Sequence, residues 1–240
     1  MAALIVSDLH IDAARPAIGA QFIDFLEREA SGAEALYVLG DLFESWIGDD
    51  DDDPHRRAVV AALARLAARG TELYFQYGNR DFLYGQRFER DTGGSVLDDP
   101  TIATRWGRRV LLAHGDALCT DDVPYQRLRA LVRDRDWQQA FLGLPRATRA
   151  LLADEARRGS QAHTSGQPAM LMDVNSDTLA ALYRAADVDT IVHGHTHRPG
   201  VHSLELDGRT RTRIVTGDWY TEGSVLSWDA AGFELGRRPR

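Results

Sequence analysis

Five short clusters of polar residues, spread between residues 7 and 197, carry the side chains that could perform chemistry. Each cluster directly follows a short apolar run of the kind that forms a buried β-strand. The clusters are Ser7-Asp8-Leu9-His10, Gly40-Asp41, Gly78-Asn79-Arg80-Asp81, His114-Gly115-Asp116 and Gly194-His195-Thr196-His197. Any one of them alone would be an ordinary turn or cap. Because ligands bind outside the carboxyl ends of parallel strands, we expect the five clusters to converge on one site.

Together the clusters supply seven candidate metal ligands that offer oxygen and imidazole nitrogen but no thiolate. They are Asp8, His10, Asp41, Asn79, His114, His195 and His197. This donor set suits manganese or iron better than a structural zinc ion. Seven ligands are too many for one ion. We therefore predict a two-metal hydrolytic site, in which a bridging Asp41 leaves each ion with four protein ligands and open positions.

The elements that must position these ligands alternate along the first half of the chain. Short apolar runs at residues 3–7, 35–39, 72–77, 109–113 and 189–193 predict buried strands. Apolar residues at helical spacing predict helices near 17–31 and 55–70, the second closed by Gly70. This β-α-β-α-β order indicates helices packed on a largely parallel sheet.

The second half of the chain differs in pattern. Residues 122–186 are predicted to form a helical block, broken at Pro145, around 159–168 and near 174–175, which interrupts the strands like an inserted cap. Residues 200–206, 209–216, 222–228 and 232–236 are predicted to be antiparallel strands, with Asp207-Gly208 as a hairpin turn. These strands imply a second sheet.

Composition narrows the class of protein. The 240 residues are 44% hydrophobic and 27% charged, as in globular domains, and a net charge of −8 argues against binding of nucleic acid through a basic face. The single Cys119 points to a reducing cytoplasm. No apolar run is long enough to predict a signal peptide or a membrane span. The acidic run at residues 49–53 is interpreted as a solvated, flexible loop.

The clusters resemble the motif string of the calcineurin-like metallophosphoesterases: Asp-x-His, Gly-Asp, Gly-Asn-His-Asp/Glu, His-Gly and Gly-His-x-His. The resemblance implies a mixed α/β fold of the α+β type, a four-layer α/β/β/α sandwich, as a single domain over residues 1–240 with a helical insertion at about 122–186. The third motif departs from the family, because Arg80 stands where most members have a histidine that donates a proton to the leaving group. An arginine would instead neutralise phosphoryl charge.

This departure resembles one branch of the family, the UDP-2,3-diacylglucosamine diphosphatases of lipid A biosynthesis. The same branch is indicated by residues 113–122 with Tyr125-Gln126, by Met172-Asp173-Val174-Asn175 and by residues 194–199. The resemblance implies hydrolysis of the pyrophosphate bond of UDP-2,3-diacylglucosamine to UMP and 2,3-diacylglucosamine 1-phosphate. It also implies two Mn²⁺ ions per chain as cofactors.

The resemblance further assigns roles to residues. Asp8, His10, Asp41 and His197 would hold one ion, and Asp41, Asn79, His114 and His195 the other. Asn79, Arg80 and His195 would be catalytic, and the substrate contacts would be Asn79, Arg80, Asp122, Ser160, Thr164, Gln167 and His195. A lysine is common at the position of Gln167. Arg157 or Arg158 could supply that charge, although a helix-surface role is the simpler interpretation of both.

The helical insertion has the composition to cover a lipid. Its apolar residues would line a groove for acyl chains or form the insertion's own core; they are Leu128, Leu131, Val132, Phe141, Leu142, Leu144, Leu151 and Leu152. Arginines among them predict peripheral contact with the cytoplasmic side of the inner membrane. We expect no nucleic-acid ligand and no obligate protein partner. Three alternatives stay open: a related phosphoesterase acting on a soluble nucleotide, a DNA nuclease, and a scaffold that has lost its metals.

Overall fold

The computed structural model describes residues 1–165 and 173–239, and within them the chain forms eleven strands and seven helices. The strands are β1 (Ala3–Val6), β2 (Ala35–Val38), β3 (Glu72–Phe75), β4 (Ser95–Val96), β5 (Thr101–Arg105), β6 (Arg108–Ala113), β7 (Thr190–His193), β8 (Gly200–Leu206), β9 (Arg209–Val215), β10 (Gly223–Trp228) and β11 (Phe233–Arg238). The helices are α1 (Pro16–Arg28), α2 (Pro54–Ala68), α3 (Gln86–Thr92), α4 (Val123–Val132), α5 (Arg135–Leu142), α6 (Arg146–Ser165) and α7 (Ser176–Ala186).

The strands form two mixed sheets. The first has the order β11-β10-β1-β2-β3-β4, with β1 to β4 parallel and β10 antiparallel to β1. The second has the order β5-β6-β7-β9-β8, with β6, β7 and β9 parallel. The C-terminal strands therefore do not make a sheet of their own. The β8–β9 hairpin extends the second sheet, and the β10–β11 hairpin extends the first.

The two sheets lie face to face between layers of helices. Successive side chains of β1 point to opposite faces of the first sheet. Leu4 and Val6 pack with α1 to α3, whereas Ala3 and Ile5 pack into the core between the sheets. On the far side, Tyr183 of α7 packs against Ile191 in the second sheet. The predicted α/β/β/α sandwich is thus confirmed.

The predicted insertion contains helices of two kinds. α4 and α5 bury no residue, and with α6 they lie over the carboxyl ends of the strands as the cap. α7 packs on the second sheet and belongs to the sandwich. The break predicted around residues 159–168 does not fall at Gly159, since α6 runs from Arg146 to Ser165, and residues 166–168 lie outside the described residues. No helix within the described residues is long and apolar enough to cross a membrane.

The interpretation of residues 49–53 as a flexible, solvated loop is wrong. Asp49 accepts hydrogen bonds from the backbone N–H groups of Gly85, Arg87 and Phe88, at 3.0–3.1 Å, at the start of α3. Asp53 accepts from the first N–H groups of α2. These two carboxylates satisfy donors that a helix start leaves unpaired, and the three acids between them pair with arginines.

Candidate metal centre

The seven predicted ligands come together between the carboxyl ends of strands from both sheets. Asp8 and His10 follow β1, and Asp41 follows β2. His114 follows β6 of the second sheet. The site therefore lies across the two sheets instead of at the edge of one parallel sheet, as the strand order alone suggested. This arrangement is possible because both sheets present parallel strand ends at the same end of the sandwich.

One half of the site is built by Asp8, His10 and His197. The Nε2 atoms of His10 and His197 lie 3.3 Å apart, and His197 Nε2 lies 3.4 Å from Asp8 Oδ1. Asp8 is fully buried, and its Oδ1 atom has no hydrogen-bond partner among the described residues. A buried carboxylate oxygen without a donor beside two imidazole nitrogens fits a bound divalent cation.

The other half is built around Asn79. Its Oδ1 atom lies 3.0 Å from His114 Nε2 and 2.9 Å from His195 Nδ1. The Nδ1 atom of His114 lies 2.8 Å from the backbone carbonyl oxygen of Leu39, which accepts its hydrogen and leaves Nε2 free as a ligand. An amide oxygen and two imidazoles therefore face a common point.

Asp41 stands between the two halves. Its Oδ2 atom lies 3.6 Å from His10 Nε2, and its Oδ1 atom lies 3.8 Å from His114 Nε2. The carboxyl group is 1% exposed and presents one oxygen to each half. This is the orientation that a bridging ligand requires. The same geometry also groups Asp8 with Asp41 and His114 within ligand distance.

The backbone at the site is strained. Asp8, His10, Asp41, His195 and His197 all have φ between 51° and 64°, in the left-handed region that non-glycine residues seldom adopt. Such strain costs about 1–3 kcal/mol per residue and collects at functional sites. Five of the seven candidate ligands share this strained conformation, which lowers the local stability of the loops that carry them.

Two glycines permit the close packing of the ligand loops. A Cβ atom on Gly78 would lie 2.0 Å from Asp41 Oδ1, and one on Gly194 would lie 2.3 Å from Asp8 Oδ2. Neither position has room for a side chain. Both glycines are therefore sites of close approach between the ligand loops.

The electrostatics of the site favour a cation. Burial lowers the pKa of His114, but the carboxylates of Asp41, Asp116 and Asp8 together raise it to about 9. Burial likewise opposes ionisation of Asp8, yet the charge of the nearby His197 imidazole holds the pKa of Asp8 below its ordinary value. The raised pKa of His114 shows that the surrounding carboxylates stabilise positive charge at this imidazole, and the lowered pKa of Asp8 shows that its carboxylate stays ionised beside the histidines.

Two further carboxylates hold the ligand loops in place. Asp81 accepts hydrogen bonds from the backbone N–H groups of Asp41, Gly78 and Phe43, at 3.0–3.1 Å. Burial and the charge of Asp41 raise the pKa of Asp81 to about 6.

Asp116 accepts a hydrogen bond from the Tyr125 hydroxyl at 2.6 Å and so connects α4 to the loop of the metal centre. Asp81 and Asp116 both lie inside the sequence motifs, but their roles depend on contacts that the motifs do not show.

An apolar cavity of about 590 Å³ opens beside the metal centre, beneath the cap. Asn79 and Arg80 lie at its polar end. The apolar lining comprises Trp46, Ile47, Phe82, Leu83, Leu128, Val132, Trp137, Phe141, Leu144 and Leu152. Of the eight apolar residues predicted for a groove or core, Leu131, Leu142 and Leu151 are exposed and do not belong to this lining.

Arg80 links the metal centre to the cap. Its backbone N–H donates to Asp41 Oδ1 at 2.8 Å, and its Nη2 donates to Ser160 Oγ of α6 at 3.2 Å. Its Nε atom is buried without a hydrogen-bond partner among the described residues. The guanidinium thus has an unused donor at the polar end of the cavity, where an anionic group could accept it.

The remaining predicted substrate contacts lie elsewhere or outside the described residues. Asp122 is the N-cap of α4, where it accepts from the backbone N–H of Tyr125 at 3.1 Å, and it does not line the cavity. Thr164 is in the last turn of α6, and its side chain is not described. Gln167 lies outside the described residues. Arg157 lines the cavity, whereas Arg158 is exposed and pairs with Glu155.

The chain is similar to known proteins along most of its length. The calcineurin-like phosphoesterase family matches residues 1–199. The UDP-2,3-diacylglucosamine hydrolase of Stenotrophomonas maltophilia (strain K279a) is 49% identical over 98% of both chains. That of Yersinia pestis bv. Antiqua (strain Angola) is 46% identical over 98% of both chains. The solved structure of an archaeal phosphodiesterase shares the fold, with a TM-score of 0.51 at 14% identity over 99% of both chains.

Proposed function

The chain belongs to the calcineurin-like phosphoesterase family, and we propose that it hydrolyses the pyrophosphate bond of UDP-2,3-diacylglucosamine in lipid A biosynthesis. The products are UMP and 2,3-diacylglucosamine 1-phosphate. One observation carries this proposal: a cation-binding cluster and an apolar cavity of about 590 Å³ meet at Asn79 and Arg80. A phosphoanhydride that bears two acyl chains requires both features side by side.

We propose two Mn²⁺ ions as the cofactors. Asp8, His10, Asp41 and His197 would hold one ion, and Asp41, Asn79, His114 and His195 the other. Oxygen and imidazole donors without thiolate support manganese, and the two oxygens of Asp41 facing opposite halves support a shared ligand. When bound, such ions lower the pKa of a coordinated water and polarise the phosphoryl oxygens.

The protein's own groups position the pyrophosphate. Arg80 would donate its unused Nε–H to a non-bridging oxygen and offset the negative charge that develops during cleavage. A phosphate leaving group needs little protonation, so a permanently charged guanidinium suits this position better than an acid would. The amide oxygen of Asn79 and the Nδ1 atom of His195 lie 2.9 Å apart, and these two groups would hold the phosphoryl group in line.

The acyl chains would occupy the cavity beneath the cap. Its volume lies within the usual range of about 300–1,000 Å³ for ligand sites, and its walls are largely aliphatic and aromatic. Each buried methylene contributes about 0.8 kcal/mol, so the chains can supply much of the binding free energy. Ser160, hydrogen-bonded to Arg80, would contact the glucosamine phosphate between the two regions. Thr164 and Gln167 remain proposed contacts of the same group.

We also propose that the enzyme works at the cytoplasmic side of the inner membrane as a peripheral protein. The cap exposes Leu131, Leu142 and Leu151 together with the arginines Arg127 and Arg135. Exposed apolar side chains combined with basic ones favour anionic lipid surfaces. Such contact would bring the cavity close to a substrate that resides in the bilayer.

Product analysis tests the proposed reaction. The protein is incubated with Mn²⁺ and UDP-2,3-diacylglucosamine in ¹⁸O-labelled water, and the products are identified by mass spectrometry. We expect UMP and 2,3-diacylglucosamine 1-phosphate, with the label in UMP. Label in the sugar phosphate would reverse the orientation of attack. Faster cleavage of an unacylated nucleotide would indicate a phosphoesterase for soluble substrates, and no cleavage with bound metal would contradict the proposed substrate.

A further inference from the structure

Glu44 is a buried acid beside the metal centre that has no role in the reaction described so far. Its side chain is 4% exposed, and its Oε2 atom lies 3.2 Å from His10 Nδ1. The backbone N–H of Glu44 donates to the carbonyl oxygen of Ile11 at 3.1 Å, and Ile11 pairs with Phe43 in a short β-bridge. The loop that carries Glu44 is therefore attached directly to the loop that carries His10.

The carboxylate of Glu44 is itself held in place. Arg15 Nη2 donates to Glu44 Oε2 at 3.2 Å, and the Arg15 guanidinium lies 4.3 Å above the ring of Tyr220. The Tyr220 ring in turn stacks on the His10 imidazole, with centroids 5.4 Å apart. Arg15, Glu44, His10 and Tyr220 thus form a closed ring of contacts, which constrains both the edge and the face of the imidazole.

The two halves of the centre differ in the groups that lie next to the Nδ1 atoms of their histidines. Asp218 Oδ2 lies 3.5 Å from His197 Nδ1, so the second imidazole of this half also has a carboxylate behind it. In the other half, His114 Nδ1 faces the backbone carbonyl of Leu39, which is a neutral acceptor. A buried carboxylate is present behind His10 but not behind His114.

We propose that Glu44 is a positioning residue for His10, which keeps Nε2 of that imidazole directed at the cation bound by Asp8, His10 and His197. The inference rests on the proposed metal centre. A carboxylate at Nδ1 selects the tautomer with a free electron pair on Nε2 and orients the ring, and loss of such support costs about 10–100-fold in metal affinity. Because His114 is oriented by Leu39, the effect should fall on one ion only.

Manganese binding measured by equilibrium dialysis with metal analysis tests this inference. For Glu44→Gln we expect one of two dissociation constants to rise about 10–100-fold, with the other unchanged. Asp51→Asn is the matched control, because Asp51 is also 4% exposed and forms an ion pair at 2.7 Å, with Arg56. That variant should lose stability but retain both ions.

Double variants locate the weakened ion. If Glu44 acts through His10, Glu44→Gln should add nothing in a His10→Ala background and should keep its full effect in a His114→Ala background. Arg15→Ala is a milder perturbation, since Arg15 is on the surface side of the ring of contacts. It should weaken the same ion by a smaller factor and provides the test if Glu44→Gln does not fold.

Two results would overturn the inference. The first is equal weakening of both ions, and the second is unchanged affinity with a melting temperature lowered as in Asp51→Asn. Either would leave Glu44 with a structural role alone. A wild-type protein that binds no Mn²⁺ would instead contradict the proposed metal centre, so the two failures can be told apart.

Discussion

Leu128 and Leu131 lie on the same cap helix, are similarly exposed and differ in one respect. Leu128 is 50% exposed and lines the apolar cavity, whereas Leu131 is 53% exposed and does not. If acyl chains occupy the cavity, Leu128→Gln should impair the acylated substrate and Leu131→Gln should not. The pair therefore separates contact with the chains from any general effect of a polar residue on α4.

The expected magnitude follows from the exposed half of the Leu128 side chain. Full burial of a leucine contributes about 1.5–3 kcal/mol, so covering the exposed half contributes about 1 kcal/mol. Burying the glutamine amide adds a cost of about 0.5–2 kcal/mol. A total of about 1.5–3 kcal/mol corresponds to a fall of roughly 10–150-fold in kcat/KM.

The assay compares kcat/KM for UDP-2,3-diacylglucosamine in mixed micelles with that for a short-acyl analogue. Leu128→Gln should lose roughly 10–150-fold on the diacyl substrate and little on the analogue. The melting temperature of each variant is measured alongside its kinetics. Equal losses on both substrates, or a loss of the same size in Leu131→Gln, would refute the placement of the acyl chains in this cavity.

Asp41→Asn should reduce turnover by several orders of magnitude and lower manganese stoichiometry while the fold survives, because Asp41 presents an oxygen to each half of the centre. Near-normal turnover with two bound ions would contradict a shared ligand. Arg80→Ala should lower kcat by roughly 10²–10³ without loss of metal and with an unchanged pH–rate profile; an unchanged kcat would remove Arg80 from the mechanism. Gly78→Ala should abolish metal binding and destabilise the fold, because its Cβ would lie 2.0 Å from Asp41 Oδ1. Gly159→Ala, within α6 and without a described atom in the way, should instead raise stability by about 1 kcal/mol in thermal unfolding. Chelation by EDTA should abolish activity, and added Mn²⁺ should restore it if the ions are required.

The pattern of apolar residues located most of the strands and helices, but it did not show which strands pair with one another. The runs at 3–7 and 35–39 became β1 and β2 of the first sheet, whereas 109–113 became β6 of the second. The pattern missed β4, β5 and α3. β4 has two residues, and the N-cap of α3, Gly85, is held by Asp49, 36 positions earlier. Short elements that depend on distant partners carry little periodicity of their own.

The sequence by itself determined the types and order of the candidate ligands and the α/β/β/α class of the fold. Each ligand directly follows its strand, so a local pattern is sufficient to place it. Only the tertiary structure decided which sheet each strand joins, that Leu128 and not Leu131 faces the cavity, and that Glu44 lies behind His10. The spacing of apolar residues shows that a helix has an apolar face, but long-range packing selects the surface that this face meets. A carboxylate brought to an imidazole by the pairing of two loops leaves no periodic signal in the chain.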